Sequence, residues 1–172
     1  FFSLDELKHM VLLDNESTST IFCNPNYVTN IRNVSQTLAL RTNGGTLYAG
    51  KHCDIPFMPS LQECWFHKEA MTNVLAFHEV QARFITTYDN RISNEFIVHL
   101  SDDVKIRFKQ LKVGLCVWKP TKEDLKKIQG VFKNGSFTQI EEQTQEIQEN
   151  SEYYNDLPPL VSWNGLHFCG NS

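Results

Sequence analysis

From Met10 to about Trp118 the chain is written as short apolar or alternating runs broken by turn residues, a pattern that reads as an all-β domain. The runs are Met10–Leu13, Thr37–Leu40, Ala82–Tyr88, Glu95–Leu100, Val104–Phe108 and Gly114–Trp118. Asp89-Asn90 and Ser101-Asp102-Asp103 separate the later ones with turn-forming side chains, so the stretch from Phe84 to Phe108 is expected to form a meander of locally paired strands. Val74–Arg83, with Leu75, Ala76, Val80 and Ala82, breaks the alternation and predicts one short helix.

The text changes after Pro120. Thr121-Lys122-Glu123-Asp124 has the form of a capping box ahead of a helix through Phe132, with Pro120 and Gly130 marking its ends. Gln139–Glu152 is dominated by Glu and Gln, and Pro158-Pro159 follows, which suits a solvated, partly disordered connector. Leu160-Val161-Ser162-Trp163 then regains apolar character. The expected organisation is a β domain over 1–118 and a helical and polar extension over 119–172.

Composition narrows the function classes. Hydrophobic residues make up 41% and charged residues 21%, enough for a packed interior. With a net charge of −4 and no Lys/Arg-rich run, the chain is not built to hold a phosphate backbone, so no nucleic-acid partner is expected. The five cysteines are odd in number, widely spaced and without a Cys-x-x-Cys pair, which favours reduced thiols over a disulfide framework. His52, Cys53, Cys64 and His67 match no standard zinc spacing, so no metal is expected. The Asn-x-Ser triplets at Asn15, Asn33 and Asn134 are short enough to arise by chance. No apolar run approaches the roughly 20 residues that span a bilayer, and Phe1–Glu6 lacks a basic start, so a soluble cytoplasmic protein is expected. No Gly-x-Ser-x-Gly elbow is present to carry a serine nucleophile.

The passage richest in chemistry is Val11-Leu12-Leu13-Asp14-Asn15-Glu16-Ser17-Thr18, an apolar strand that delivers an acid into a polar turn. An Asp in that position also serves as an ordinary Asx-turn or helix cap. Peptide hydrolysis by carboxylates alone needs a pair that shares one proton, because like charges about 3 Å apart cannot both ionise. One such Asp per chain therefore calls for a second chain.

This passage resembles the apolar-apolar-Asp-Ser/Thr-Gly-Ala/Ser-Ser/Thr strand of retroviral-type aspartic proteases in Copia-type retrotransposon polyproteins. The similarity continues through Leu38-Ala39-Leu40-Arg41-Thr42-Asn43-Gly44-Gly45, Met71-Thr72-Asn73-Val74-Leu75-Ala76-Phe77, Phe84–Asp89 and Gly114–Trp118, covering about Leu7 to Trp118 in order. The resemblance implies a retropepsin-like closed barrel acting as a homodimer. Each chain would supply Asp14 as catalytic residue and Asn15, Glu16, Ser17 and Thr18 as active-site loop. The substrate would be the element's own Gag-Pol polyprotein, bound extended, and no cofactor is implied. Ser17 matches the position whose hydroxyl can bond the catalytic carboxylate in some of these enzymes.

Arg41–Cys53, with Asn43, Gly44, Gly45 and Gly50, is the expected flap, a Gly-rich hairpin able to close over peptide and exclude water. Two residues depart from the family's pattern. Asn15 stands where it has a hydroxyl residue, and Glu16 stands where it has Gly. Glu16 supports the alternative expectation, a protease-fold module that has lost hydrolysis and serves in binding or assembly. An unrelated β-sandwich interaction domain is the reading left if the resemblance is accidental.

Overall fold

The computed structural model describes residues 2–42 and 44–133. The expectations placed on Asn43, Asn134, Cys169, the Gln139–Glu152 connector and Leu160–Trp163 lie outside the described residues.

The all-β expectation holds: the elements are mostly strands, with few helices. Helix α1 (Leu4–Lys8) leads into β1 (Val11–Asp14) and β2 (Ile21–Phe22), and a 3-10 turn at Pro25–Tyr27 precedes a long hairpin of β3 (Thr29–Thr42) and β4 (Gly45–Asp54). Then come β5 (Cys64–Phe66), β6 (Asn73–Ala76), α2 (Phe77–Gln81), the strands β7 (Ile85–Tyr88), β8 (Glu95–His99), β9 (Lys105–Gln110) and β10 (Cys116–Trp118), and α3 (Lys122–Lys133). The strands form one sheet in the order β3-β4-β5-β2-β6-β1-β10-β9-β8-β7. The expected meander is present, with β7, β8 and β9 paired antiparallel.

The expected closure into a barrel is corrected. A barrel requires its first and last strands to exchange hydrogen bonds. Here the sheet ends on the hairpin strand β3 at one side and the meander strand β7 at the other, and these two do not pair. The short helix expected over Val74–Arg83 is also corrected in extent. Asn73–Ala76 is strand, fully buried between β2 and β1, and the helix is confined to Phe77–Gln81. A short apolar run fits a strand covered on both faces as well as it fits a helix, so periodicity alone does not separate the two.

β1 sits at the centre because both of its faces are apolar. Val11 and Leu13 join the main core with Phe22, Phe57, Leu75 and Phe108, while Met10 and Leu12 pack with Val117 on the opposite side. A smaller cluster of Ile21, Cys23, Ala49, Ala70 and Val74 is covered by Leu38 and Leu40 from the hairpin. α3 starts on the expected capping box: Thr121 Oγ1 accepts from the Asp124 N–H at 3.1 Å and Asp124 Oδ2 accepts from the Thr121 N–H at 2.9 Å. It runs through Gly130 rather than stopping there, and it buries Ile128 against the main core, with Leu125, Val131 and Phe132 alongside. Ser3 and Glu6 form a second capping box at α1, a helix that sequence reading missed because it is only five residues long.

Candidate active site

Asp14 is the last residue of β1, held from both sides. β6 runs parallel to β1 and pairs Ala76 with Asp14, while β10 runs antiparallel and pairs Cys116 with Leu13. The acid therefore sits on a strand fixed by two neighbours, which limits its movement more than a loop would. Beyond it the chain bends in an Asx-turn, with Asp14 Oδ1 accepting from the Glu16 N–H at 2.9 Å. The Asp14 side chain is half-buried, whereas Asn15, Glu16 and Thr18 are exposed. Ser17 is half-buried, and its hydroxyl donates to the Ser19 carbonyl at 2.9 Å rather than to Asp14.

Two residues that sequence reading did not single out hold this frame. Asn73 is fully buried; its Oδ1 accepts from the N–H groups of Cys23 and Asn24 at 3.0 Å each, and its Nδ2 donates to the carbonyls of Lys8 and Met10 at 2.9 and 2.7 Å. That one side chain ties the entry of β1 to the exit of β2. Thr20, also buried, accepts from the Ala76 N–H at 3.0 Å and donates to Glu79 Oε2 at 2.5 Å, joining the loop after Asp14 to β6 and α2. In the run Ser17-Thr18-Ser19-Thr20 nothing in residue type marks which hydroxyl is buried. Asn73 was legible as part of the family-like stretch, but its bonding was not.

Strand β3 of the hairpin shares a cavity with Asp14. A cavity of about 70 Å³ is lined by Asp14, Ser17 and Thr18 on one side and by Leu38, Leu40 and Thr42 of β3 on the other. Near the tip, the Gly44 N–H donates to Thr42 Oγ1 at 3.2 Å, and Gly45 takes φ +123°, a region that side chains disfavour. Gly50 lies inside β4, opposite an irregularity between Asn33 and Leu38 of β3, and lines neither cavity at Asp14. The structure thus brings Asp14, Ser17 and Thr18 to the hairpin strand and leaves Gly50 apart.

A second cavity, about 360 Å³, opens on the other side of Asp14 and is walled by Phe77, Tyr88, Phe96, Leu115 and Cys116. Asp14 is the residue that borders both. Comparisons of the chain with protein-family models, curated proteins and solved structures found no match.

The surroundings are otherwise chemically quiet. Among the described residues no three His, Cys, Asp or Glu side chains are grouped so as to hold a metal ion, and no helix is long and apolar enough to cross a membrane. Cys23, Cys53 and Cys64 are buried free thiols. Burial pushes the Cys23 thiol up to about 11 and those of Cys53 and Cys64 up to about 12, so none of these is a ready thiolate at neutral pH.

Proposed function

We propose that this chain is an aspartic endopeptidase of the retropepsin-like kind, from a Copia-type retrotransposon Gag-Pol polyprotein, acting in the cytoplasm as a homodimer. The observation that carries the reading is the position of Asp14: a half-buried carboxylate at the end of a central strand, beneath a hairpin and bordering two cavities. Two copies related by a two-fold axis through this point bring their Asp14 carboxyl groups together. The pair holds one proton. The ionised member takes a proton from water, whose oxygen attacks the peptide carbonyl carbon; the protonated member donates to the carbonyl oxygen. Collapse of the tetrahedral intermediate then breaks the C–N bond, with a proton passing to the leaving amine. The hairpins close over an extended peptide and exclude bulk water.

The test is cleavage of a broad peptide library between about pH 4 and pH 7, a range in which a coupled carboxylate pair holds one proton. Cleavage by the native chain that Asp14→Asn reduces to background is the expected result. Cleavage that survives this change overturns the assignment.

One observation favours the silent binding module instead. Glu16 is exposed on the turn that must approach its counterpart in the dimer, and its N–H already occupies Asp14 Oδ1. Bringing two more carboxylates into that junction costs desolvation and like-charge repulsion. If the native protein is inactive and Glu16→Gly combined with Asn15→Thr cuts peptides, the fold is a protease fold silenced at this turn. If neither cuts, the hydrolase reading fails.

A further inference from the structure

Cys53 and Cys64 stand directly opposite each other where β4 and β5 pair antiparallel. Of the other described cysteines, Cys23 lies just past the end of β2 and Cys116 is in register with Leu13 and Gln110. Opposed residues in an antiparallel pair have Cα atoms about 4.5 or 5.5 Å apart, depending on whether they exchange hydrogen bonds, and both values lie within the roughly 4.4–6.8 Å that a disulfide spans. Their side chains also share a face. Both thiols belong to the main core, at 1% and 0% exposure, while the neighbouring pair of His52 and Trp65 sits with its rings 4.3 Å apart. Successive side chains alternate between faces, so a slip of one residue would exchange the cysteines for His52 or Trp65 in that core. The hydrophobic pattern therefore holds the register that sets the cysteines opposite each other. Each thiol makes only a weak bond, Cys53 Sγ to the Trp65 carbonyl at 3.6 Å and Cys64 Sγ to the Leu61 carbonyl at 3.7 Å, so little is lost by turning the sulfurs toward each other.

We propose that Cys53 and Cys64 form a redox site, a dithiol that closes to a cross-strand disulfide by exchange with a small-molecule disulfide such as oxidised glutathione. One cysteine loses its proton and attacks a glutathione sulfur, which breaks the glutathione S–S bond and releases one glutathione thiolate that takes up the proton. The other cysteine, deprotonated in turn, attacks the protein sulfur of the mixed disulfide and releases the second glutathione. The two cysteines are oxidised, one glutathione disulfide is reduced to two thiols, and both protons end on glutathione. Burial keeps reagents from the native thiols, so the exchange takes place while β4 and β5 are apart, during folding. In a reducing compartment the pair stays as two thiols. Once closed, the bond joins β5 to the residue beside Asp54, whose carboxylate holds Asn30 and Arg32 of β3, so the base of the hairpin is tied covalently to the core. This chemistry is independent of what Asp14 does.

The experiment refolds the full chain from urea in a mixture of reduced and oxidised glutathione and, in parallel, in dithiothreitol. Remaining thiols are then blocked and the chain is digested. Trypsin leaves His52–Lys68 in one piece and chymotrypsin cuts it after Phe57, so the bond shows as two fragments that separate only on reduction. The glutathione-refolded chain is expected to carry the Cys53–Cys64 bond. Its urea midpoint is expected about 1 M above that of the dithiothreitol-refolded chain, because the bond closes a loop of about a dozen residues in the unfolded state.

Cys53→Ala and Cys64→Ala are each expected to remove both the bond and the shift, whereas Cys23→Ala keeps both. Should an alanine variant fail to fold, the fragment map and the two midpoints of the native chain decide alone. No bond, a bond to Cys23, Cys116 or Cys169 in place of this one, or a bond that lowers the midpoint through strain overturns the proposal. A shift that persists without either cysteine overturns it as well.

Discussion

Four backbone groups, of Lys8, Met10, Cys23 and Asn24, hydrogen-bond to the Asn73 side chain. Replacing it with Ala strands buried donors and acceptors, each costing about 1–3 kcal/mol when left unpaired. Asn73→Ala is expected to lose about 3 kcal/mol or more in urea unfolding, whereas Thr18→Ala, on the exposed loop, is expected to change stability by less than about 0.5 kcal/mol. Equal losses for the two would show that the Asn73 network is not what holds β1 to β2. The thiols give a second residue-scale test. With pKa values pushed to about 11 and 12 by burial, Cys23, Cys53 and Cys64 stay protonated at pH 8 and out of reach of an alkylating reagent. Mass spectrometry after brief iodoacetamide treatment is expected to find these three unmodified in the native protein and modified in urea; native modification of Cys64 would contradict its burial.

At the scale of elements, the base of the long hairpin is pinned by Asp54, whose carboxyl is held below its usual range by the Asn30 amide first and the Arg32 guanidinium next. A carboxyl lowered by folding stabilises the native state above its unfolded value near about 3.9, and the contribution is lost as pH falls through the lowered folded value. Both side chains of the ion pair are well exposed, so solvent limits its worth to about 0.2–1 kcal/mol. Amide exchange at the β3–β4 base is expected to quicken in Asp54→Asn at pH 6 and to match the native protein near pH 2. α3 is a larger contributor: Ile128→Ala removes a side chain that is 3% exposed and is expected to cost about 2–5 kcal/mol by urea unfolding. The helix was legible because Thr121 and Asp124 are local capping chemistry, as was the meander with its Asp89 and Ser101 turns. β2 and β5 were not, because two- and three-residue strands carry too little alternation and are stabilised by partners distant in sequence. The place of Asp14 at the end of a strand was legible through the apolar run before it. The aromatic cavity beside it was not, since Phe77, Tyr88 and Cys116 come together only when α2, β7 and β10 take their places around β1.

For the whole molecule, the proposed chemistry requires two copies. Sedimentation at about 10 μM, a concentration at which even a weak specific dimer is populated, is expected to show a dimer for both the native chain and Asp14→Asn. A monomer alone at that concentration would remove the shared-proton mechanism. The order in which the chain supplies the neighbours of β1 has a consequence in time. Val11 pairs with Asn73 and Trp118, so the strand that bears Asp14 waits for one partner from mid-chain and another from near the end of the β region. Pairings of such long sequence separation form slowly, and a chain emerging from the ribosome cannot make them early. The carboxylate is synthesised among the first residues of this sequence, yet its setting is assembled among the last. On the proposed reading, a growing polypeptide carries the acid before the strands that flank it exist.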